Sequence, residues 1–201
     1  MKERRKEWCE SVGKNLRPNT AIFIDETPFS FCITRGRGRS MKGTSAVTTT
    51  PQIRGRNHSV IAAISPVFGL FYYEIKLTEP DSVFLTRRKG SKKKKTSPKG
   101  VTRDTFRTFL INLFTRLPPS SSTPFTFLFD NARIHLGDIE ELIFQTGYRR
   151  ELLPAWSPAL SPIEYTFSKW KLAFRTKHVE SEAQVDEAIK ETTNHSHQQT
   201  A

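Results

Sequence analysis

The hydrophobic pattern along this chain changes period several times, and each change marks an element. Residues 3–16 are highly charged and read as a helix or arm that Arg17-Pro18-Asn19 ends. Thr20-Ala-Ile-Phe-Ile-Asp25 is then a β-forming apolar run, the pattern of a buried strand; residues 29–33 are expected to pair with it or extend it after a bend at Thr27-Pro28. Residues 58–65, a turn at Pro66 to Gly69 and residues 70–77 predict a hairpin with a four-residue connection. Phe106, Phe109, Leu110, Leu113, Phe114 and Leu117 recur at helical spacing, so residues 103–117 are predicted as an amphipathic helix, with Asp104 favouring its first turn.

Pro118 to Pro124 breaks that helix, and Phe125-Thr-Phe-Leu-Phe-Asp130 follows as another strand. A short helix over residues 136–146 stops at Gly147, with a small strand near residues 149–153. One helix opens at Ser161-Pro162, a weaker one covers residues 181–193, and residues 194–201 form a polar tail. No internal repeat is visible. The order of elements predicts the α/β class: a mixed sheet flanked by helices, comprising residues 20–193 behind an arm of residues 1–19. The hairpin reaches the Phe125 strand through a helix, which lets those strands run parallel.

Between these elements lie two segments with no apolar periodicity. Residues 34–57 are rich in Gly, Arg, Ser and Thr and carry Arg35, Arg37, Arg39, Arg54 and Arg56. The Lys/Arg-rich loop of residues 87–100 includes Lys92, Lys93, Lys94 and Lys95; its charged run has no apolar residue and predicts exposed chain. They explain most of the charge: 32 Lys+Arg against 20 Asp+Glu, a net +12. The excess lies in the first 117 residues, while residues 118–201 are net acidic. A solvated loop, a phosphate-backbone contact or a nuclear-import signal all suit the second segment, and polyanions are the natural partners of the whole.

No apolar stretch approaches the ~20 residues of a membrane helix, and no apolar stretch follows the charged N-terminus. The expectation is a chain that is neither membrane-spanning nor secreted. Cys9 and Cys32 alone do not make a disulfide scaffold, which favours a reducing compartment. Zinc-ligand spacing, a phosphate-cradling glycine loop and a nucleophile motif are all missing from the sequence.

What remains is a set of acids. Two strand-like runs end alike, in Asp25-Glu26 and in Asp130-Asn131. Either aspartate alone reads as a turn or cap residue; it is the pair that brings in a site, since if the strands are neighbours both project from one sheet edge, where α/β proteins collect ligands. Leu153-Pro-Ala-Trp-Ser-Pro-Ala-Leu-Ser-Pro-Ile-Glu164 delivers a third acid into the first turn of a helix. The competing reading is a capping box, with Ser161 as N-cap and Glu164 three residues on. Glu164 shares a polar stripe with Ser168, Lys171 and Arg175, and Lys171 is a candidate DNA contact. Such carboxylates suit Mg²⁺, a hard cation that takes oxygen ligands. His135, five residues after Asp130, reads as a structural or phosphate-side histidine rather than a ligand.

Ile22-Phe-Ile-Asp25-Glu-Thr, Phe127-Leu-Phe-Asp130-Asn-Ala-Arg-Ile-His135 and the Leu153 to Glu164 block together resemble the three signature blocks of the mariner-type DDE transposases and their bacterial insertion-sequence relatives. The resemblance implies an RNase H-like catalytic core in which Asp25, Asp130 and Glu164 are both catalytic residues and metal ligands. Asp25 would bridge two Mg²⁺ (or Mn²⁺) ions, with Asp130 and Glu164 each completing one. It also implies DNA cleavage and strand transfer with no small-molecule substrate, and a 34–57 loop that reaches a partner subunit in a homodimer. The implied localisation is nuclear in a eukaryotic host and cytoplasmic otherwise.

The Asp130 to Glu164 spacing is one residue shorter than is common in that family, and Ser161 replaces its usual asparagine. Family members carry paired helix-turn-helix modules ahead of the core, where this chain has only its arm. It is therefore expected to be a catalytic fragment without end recognition, or a decayed or domesticated, DNA-binding remnant. Another nuclease of the same fold, such as a junction resolvase, fits the Ser157 to Glu164 block less well.

Overall fold

β-Forming residues from Ala21 to Phe29 build one continuous nine-residue strand, β1, in this computed structural model, which describes residues 2–30, 38–47, 58–77, 100–177, 179 and 181–197. The expected bend at Thr27-Pro28 does not break it. β1 pairs antiparallel with β2 (His58–Ser65) as far as Phe29 opposite His58. β2 returns through a three-residue turn into β3 (Gly69–Leu77), where Gly69, at φ 68°, takes the left-handed conformation that glycine adopts without strain.

On its other side β1 pairs parallel with β4 (Thr126–Phe129), which pairs parallel with β5 (Arg149–Leu152). The sheet order is β3-β2-β1-β4-β5. β3 therefore runs in the same direction as β4, with β2 and β1 between them. β4 is short, so β1 continues past its end as an open edge, a position where proline costs a strand little.

Because side chains alternate across a strand, β1 feeds two cores. Ile22 and Ile24 face α2 (Arg103–Phe114) and α3 (Asp138–Gln145), among Phe106, Phe109, Leu110, Leu113, Ile139 and Ile143. Ala21, Phe23 and Phe29 face α4 (Pro162–Phe174) and α5 (Val185–His197), among Ile163, Phe167, Trp170 and Phe174. Trp170 is 1% exposed, its ring 5.3 Å from that of Phe29, and its indole nitrogen donates to Thr192 Oγ1 at 3.0 Å. Such side chains contribute roughly 1.5–3 kcal/mol each by leaving water.

Two local readings change. The predicted 103–117 helix ends at Phe114, and its start is held by a capping box between Thr102 and Thr105 rather than by Asp104 alone. α5 runs on to His197, so residues 194–197 belong to a helix and not to a tail. Of the two readings of the N-terminal segment, helix or arm, the structure has the helix, α1 (Lys2–Ser11), and it is docked: Trp8 packs against the α4-side core and its Nε1 donates to Leu152 O at 3.0 Å. No helix among the described residues is long and apolar enough to cross a membrane.

Candidate active site

The parallel pairing of β1 and β4 sets Ala21 beside Thr126, Ile22 beside Phe127 and Phe23 beside Leu128. The same register carried two residues further brings Asp25 level with Asp130. Asn131 Nδ2 donates to Leu153 O at 2.8 Å, and Leu153 N to Phe129 O at 3.0 Å, which ties the loop after β4 to the chain leaving β5. That chain, through Pro154 to Ser161, then crosses the carboxyl ends of the strands and enters α4. Asp25 lies on the α4 side of the sheet, so Glu164 in the first turn of α4 comes to the same place. Asp25, Asp130 and Glu164 all line one cleft of about 410 Å³, with Trp156, Ser157 and Ser161 on its wall.

Each aspartate has one oxygen engaged. Asp25 Oδ1 accepts from Glu26 N at 2.7 Å; Asp130 Oδ1 accepts from Ala132 N and from His135 Nδ1, both at 2.9 Å. Ser161 makes no side-chain cap bond, so the capping box read from the sequence is not formed and Glu164 is not consumed by it. The loop into α4 has its own support: Trp156 adopts φ 57°, a strained conformation for an aromatic residue, and stands 79% exposed beside the cleft. Arg5 of α1 braces this turn, donating to Trp156 O and, at 2.9 Å, to Ser157 Oγ.

Burial, followed by the charge of Glu26 and then those of Asp130 and Glu164, pushes the Asp25 carboxyl up to about 7. His135 moves the other way from a buried base. Burial alone would lower it, but hydrogen bonds to Asp130 and Glu26, with their charges, raise it to about 10. The His135 hydrogen bond is also the main reason that Asp130 is held below the usual carboxylate range. Lys171 is lowered by burial, against the opposing pull of Glu164 and Asp25.

In donor chemistry three carboxylates fit a hard divalent cation. Among the described residues, however, no three acidic, histidine or cysteine side chains stand close enough to form a ready-made cage. The acids share a cleft without meeting at a point.

The chain is similar to solved mariner structures. Against the Mos1 mariner paired-end complex with Mn the TM-score is 0.69 at 23% identity, covering 94% of this chain and 53% of that one. For the pre-cleavage Mos1 transpososome the values are 0.69, 20%, 94% and 54%. For the catalytic domain of Mos1 mariner transposase they are 0.63, 19%, 94% and 78%. The chain has the fold of a mariner transposase catalytic domain. It spans about half the length of the Mos1 chains in the first two structures. No protein-family model matches it, and no curated protein does.

On this mariner-like fold, Asp25, Asp130 and Glu164, the three acids singled out in the sequence, all line the one cleft. Lys171, two turns after Glu164 on α4, is half-buried close enough to feel Glu164 and Asp25. Arg39 is exposed. Arg35, Arg37, Arg54, Arg56 and Lys92, Lys93, Lys94 and Lys95 lie outside the described residues, as does most of the 34–57 loop offered as a dimer contact.

Sequence reasoning missed Glu26 as a partner of His135, the exposed Trp156 and the bracing Arg5. A signal existed for the first: an acid beside Asp25 and a histidine shortly after Asp130. Their meeting depends on β1 and β4 being neighbours, which local pattern does not reveal.

Proposed function

We propose that this chain is the catalytic domain of a DDE-type transposase, cleaving DNA phosphodiester bonds and joining the freed ends to target DNA. The observation that carries the reading is the placement of Asp25, Asp130 and Glu164 on the wall of one cleft within this fold. These three side chains would hold Mg²⁺ or Mn²⁺, two ions in all. When bound, such ions stabilise the charge that develops on attacking and leaving oxygens.

The chain's own residues position and tune that centre. The peptide N–H groups of Glu26 and Ala132 fix the two aspartates, and His135 sets a positive charge against Asp130. Lys171 tempers the negative charge a phosphate would meet. In the first reaction a water oxygen bonds to phosphorus as the bond from phosphorus to the 3′ oxygen breaks. That oxygen takes up a proton, leaving a 3′-hydroxyl and a 5′-phosphate. In the second the 3′-hydroxyl attacks a target phosphodiester, losing its proton, and displaces the target's own 3′ oxygen.

The basic residues of the first 117 positions, Arg39 among them, would track the DNA backbone. A nuclear site of action in a eukaryotic host, and pairing of two copies through the 34–57 loop, are part of the same proposal.

Supercoiled plasmid incubated with the protein and Mn²⁺ tests the reading. Nicking by wild type and its loss in Asp25→Ala are expected; equal nicking by both would sink it. Salt-sensitive DNA binding without nicking would instead identify a non-catalytic remnant.

A further inference from the structure

His135 is 0% exposed, yet it carries two charged hydrogen bonds. Its Nδ1 lies 2.9 Å from Asp130 Oδ1 and its Nε2 lies 2.9 Å from Glu26 Oε1, so each ring nitrogen is within hydrogen-bond distance of a carboxylate oxygen. Phe106 and Phe129 pack against it, with ring centroids at 4.4 and 5.2 Å. The ring therefore has little rotational freedom. Asp130, by contrast, sits just past the end of β4 with its side chain 61% exposed, where packing alone would let it turn.

Glu26 follows Asp25 on β1, and consecutive strand residues point to opposite faces. Asp25 enters the cleft on the α4 side, while Glu26 reaches His135 on the α2 side. The network therefore passes from β1 through the buried imidazole to the second aspartate.

We propose that Glu26 and His135 are positioning residues for the cation centre: Glu26 holds the imidazole at Nε2, the imidazole holds Asp130 at Oδ1, and Asp130 Oδ2 remains the oxygen free to bind the cation. This rests on the metal-dependent reading above and adds two residues to it. Partners that orient a ligating carboxylate are worth about 10–100-fold in metal affinity. A histidine serving stability alone would move the melting temperature and leave cation affinity unchanged.

The test is Mn²⁺ titration of the full chain, followed by electron paramagnetic resonance of the free ion, with thermal unfolding of the metal-free protein alongside. Glu26→Ala is expected to weaken Mn²⁺ binding by roughly 10–100-fold. Glu26→Gln, whose amide oxygen still accepts from Nε2, is expected to stay close to wild type. Wild-type affinity in Glu26→Ala overturns the proposal, and so does a Glu26→Gln variant as weak as Glu26→Ala. If Glu26→Ala does not fold, His135→Asn and His135→Gln replace it. Asn keeps a donor where Nδ1 meets Asp130 and Gln keeps one where Nε2 meets Glu26, so Asn is expected to bind Mn²⁺ more tightly. Equal affinity of the two overturns the proposal. A wild-type chain that binds no Mn²⁺ removes both the relay and the proposed function, whereas a binding wild type with indifferent variants removes the relay alone.

Discussion

At the scale of the residue, Asp25 is the group whose chemistry depends most on what surrounds it. Buried beside Glu26 and facing Asp130 and Glu164, it holds its proton up to about pH 7 when no cation is present. A divalent ion binds the charged form, so binding must displace that proton. Mn²⁺ affinity is expected to rise with pH through about 7 and then level off, with proton release measurable by calorimetry in buffers of different ionisation heat.

The same carboxyl sets a stability slope in the metal-free protein. A folded-state value above the unfolded one gives a contribution that is complete below the ordinary value of 3.8 and lost as pH rises through about 7. The His135 contribution is also lost on the alkaline side, but between its ordinary 6.5 and about 10. Asp25→Asn is therefore expected to flatten the fall in melting temperature between pH 4 and 7. It should melt higher than wild type at pH 8 in the presence of a chelator while losing Mn²⁺ binding. A variant that gains stability as it loses function is the expected mark of an acid kept for chemistry.

At the scale of the element, two helix starts that look alike in sequence behave differently. Thr102 caps α2 through a reciprocal pair with Thr105, whereas Ser161 makes no cap bond to α4. Thr102→Ala is expected to cost about 1 kcal/mol and Ser161→Ala much less, as read by chemical denaturation. Ser161 followed by Glu164 was legible as a capping box, and that reading failed because the pattern gives residue types and not rotamers. The apolar stripe of α4 was legible, since Ile163, Phe167, Trp170 and Phe174 are all buried. So was the hairpin; Asp130 does follow the end of β4, whereas Asp25, read as the end of a strand, lies in the middle of β1. The extension of β1 to Phe29 was only half legible, because its support comes from β2, nearly thirty residues on, and from Trp170 and Phe174 packing on Phe29.

At the scale of the whole molecule, local pattern predicts a mixed α/β sheet but not which strands touch. β1 and β4 are neighbours across a hundred residues of sequence, and from that one adjacency follow the pairing of Asp25 with Asp130 and the meeting of Glu26 with His135. Charge is likewise divided on a large scale: a net +12 for the chain, basic in its first 117 residues, against an acidic cleft. DNA affinity is expected to fall linearly with salt on logarithmic axes, by about 0.9 per phosphate contacted. Asp25→Ala should leave that slope unchanged in filter-binding or fluorescence titrations, since the basic residues and the acids act separately.

The adjacency of Asp25 and Glu26 on opposite faces of β1 also bears on where damage would fall. The α2-side core is joined to the cleft through His135, which packs against Phe106 and Phe129. A survey of inactivating substitutions would then show two islands, one around the acids and a second behind the sheet. In the second, substitutions at Glu26 and His135 would weaken cation binding by about 10–100-fold without touching an acid of the cleft.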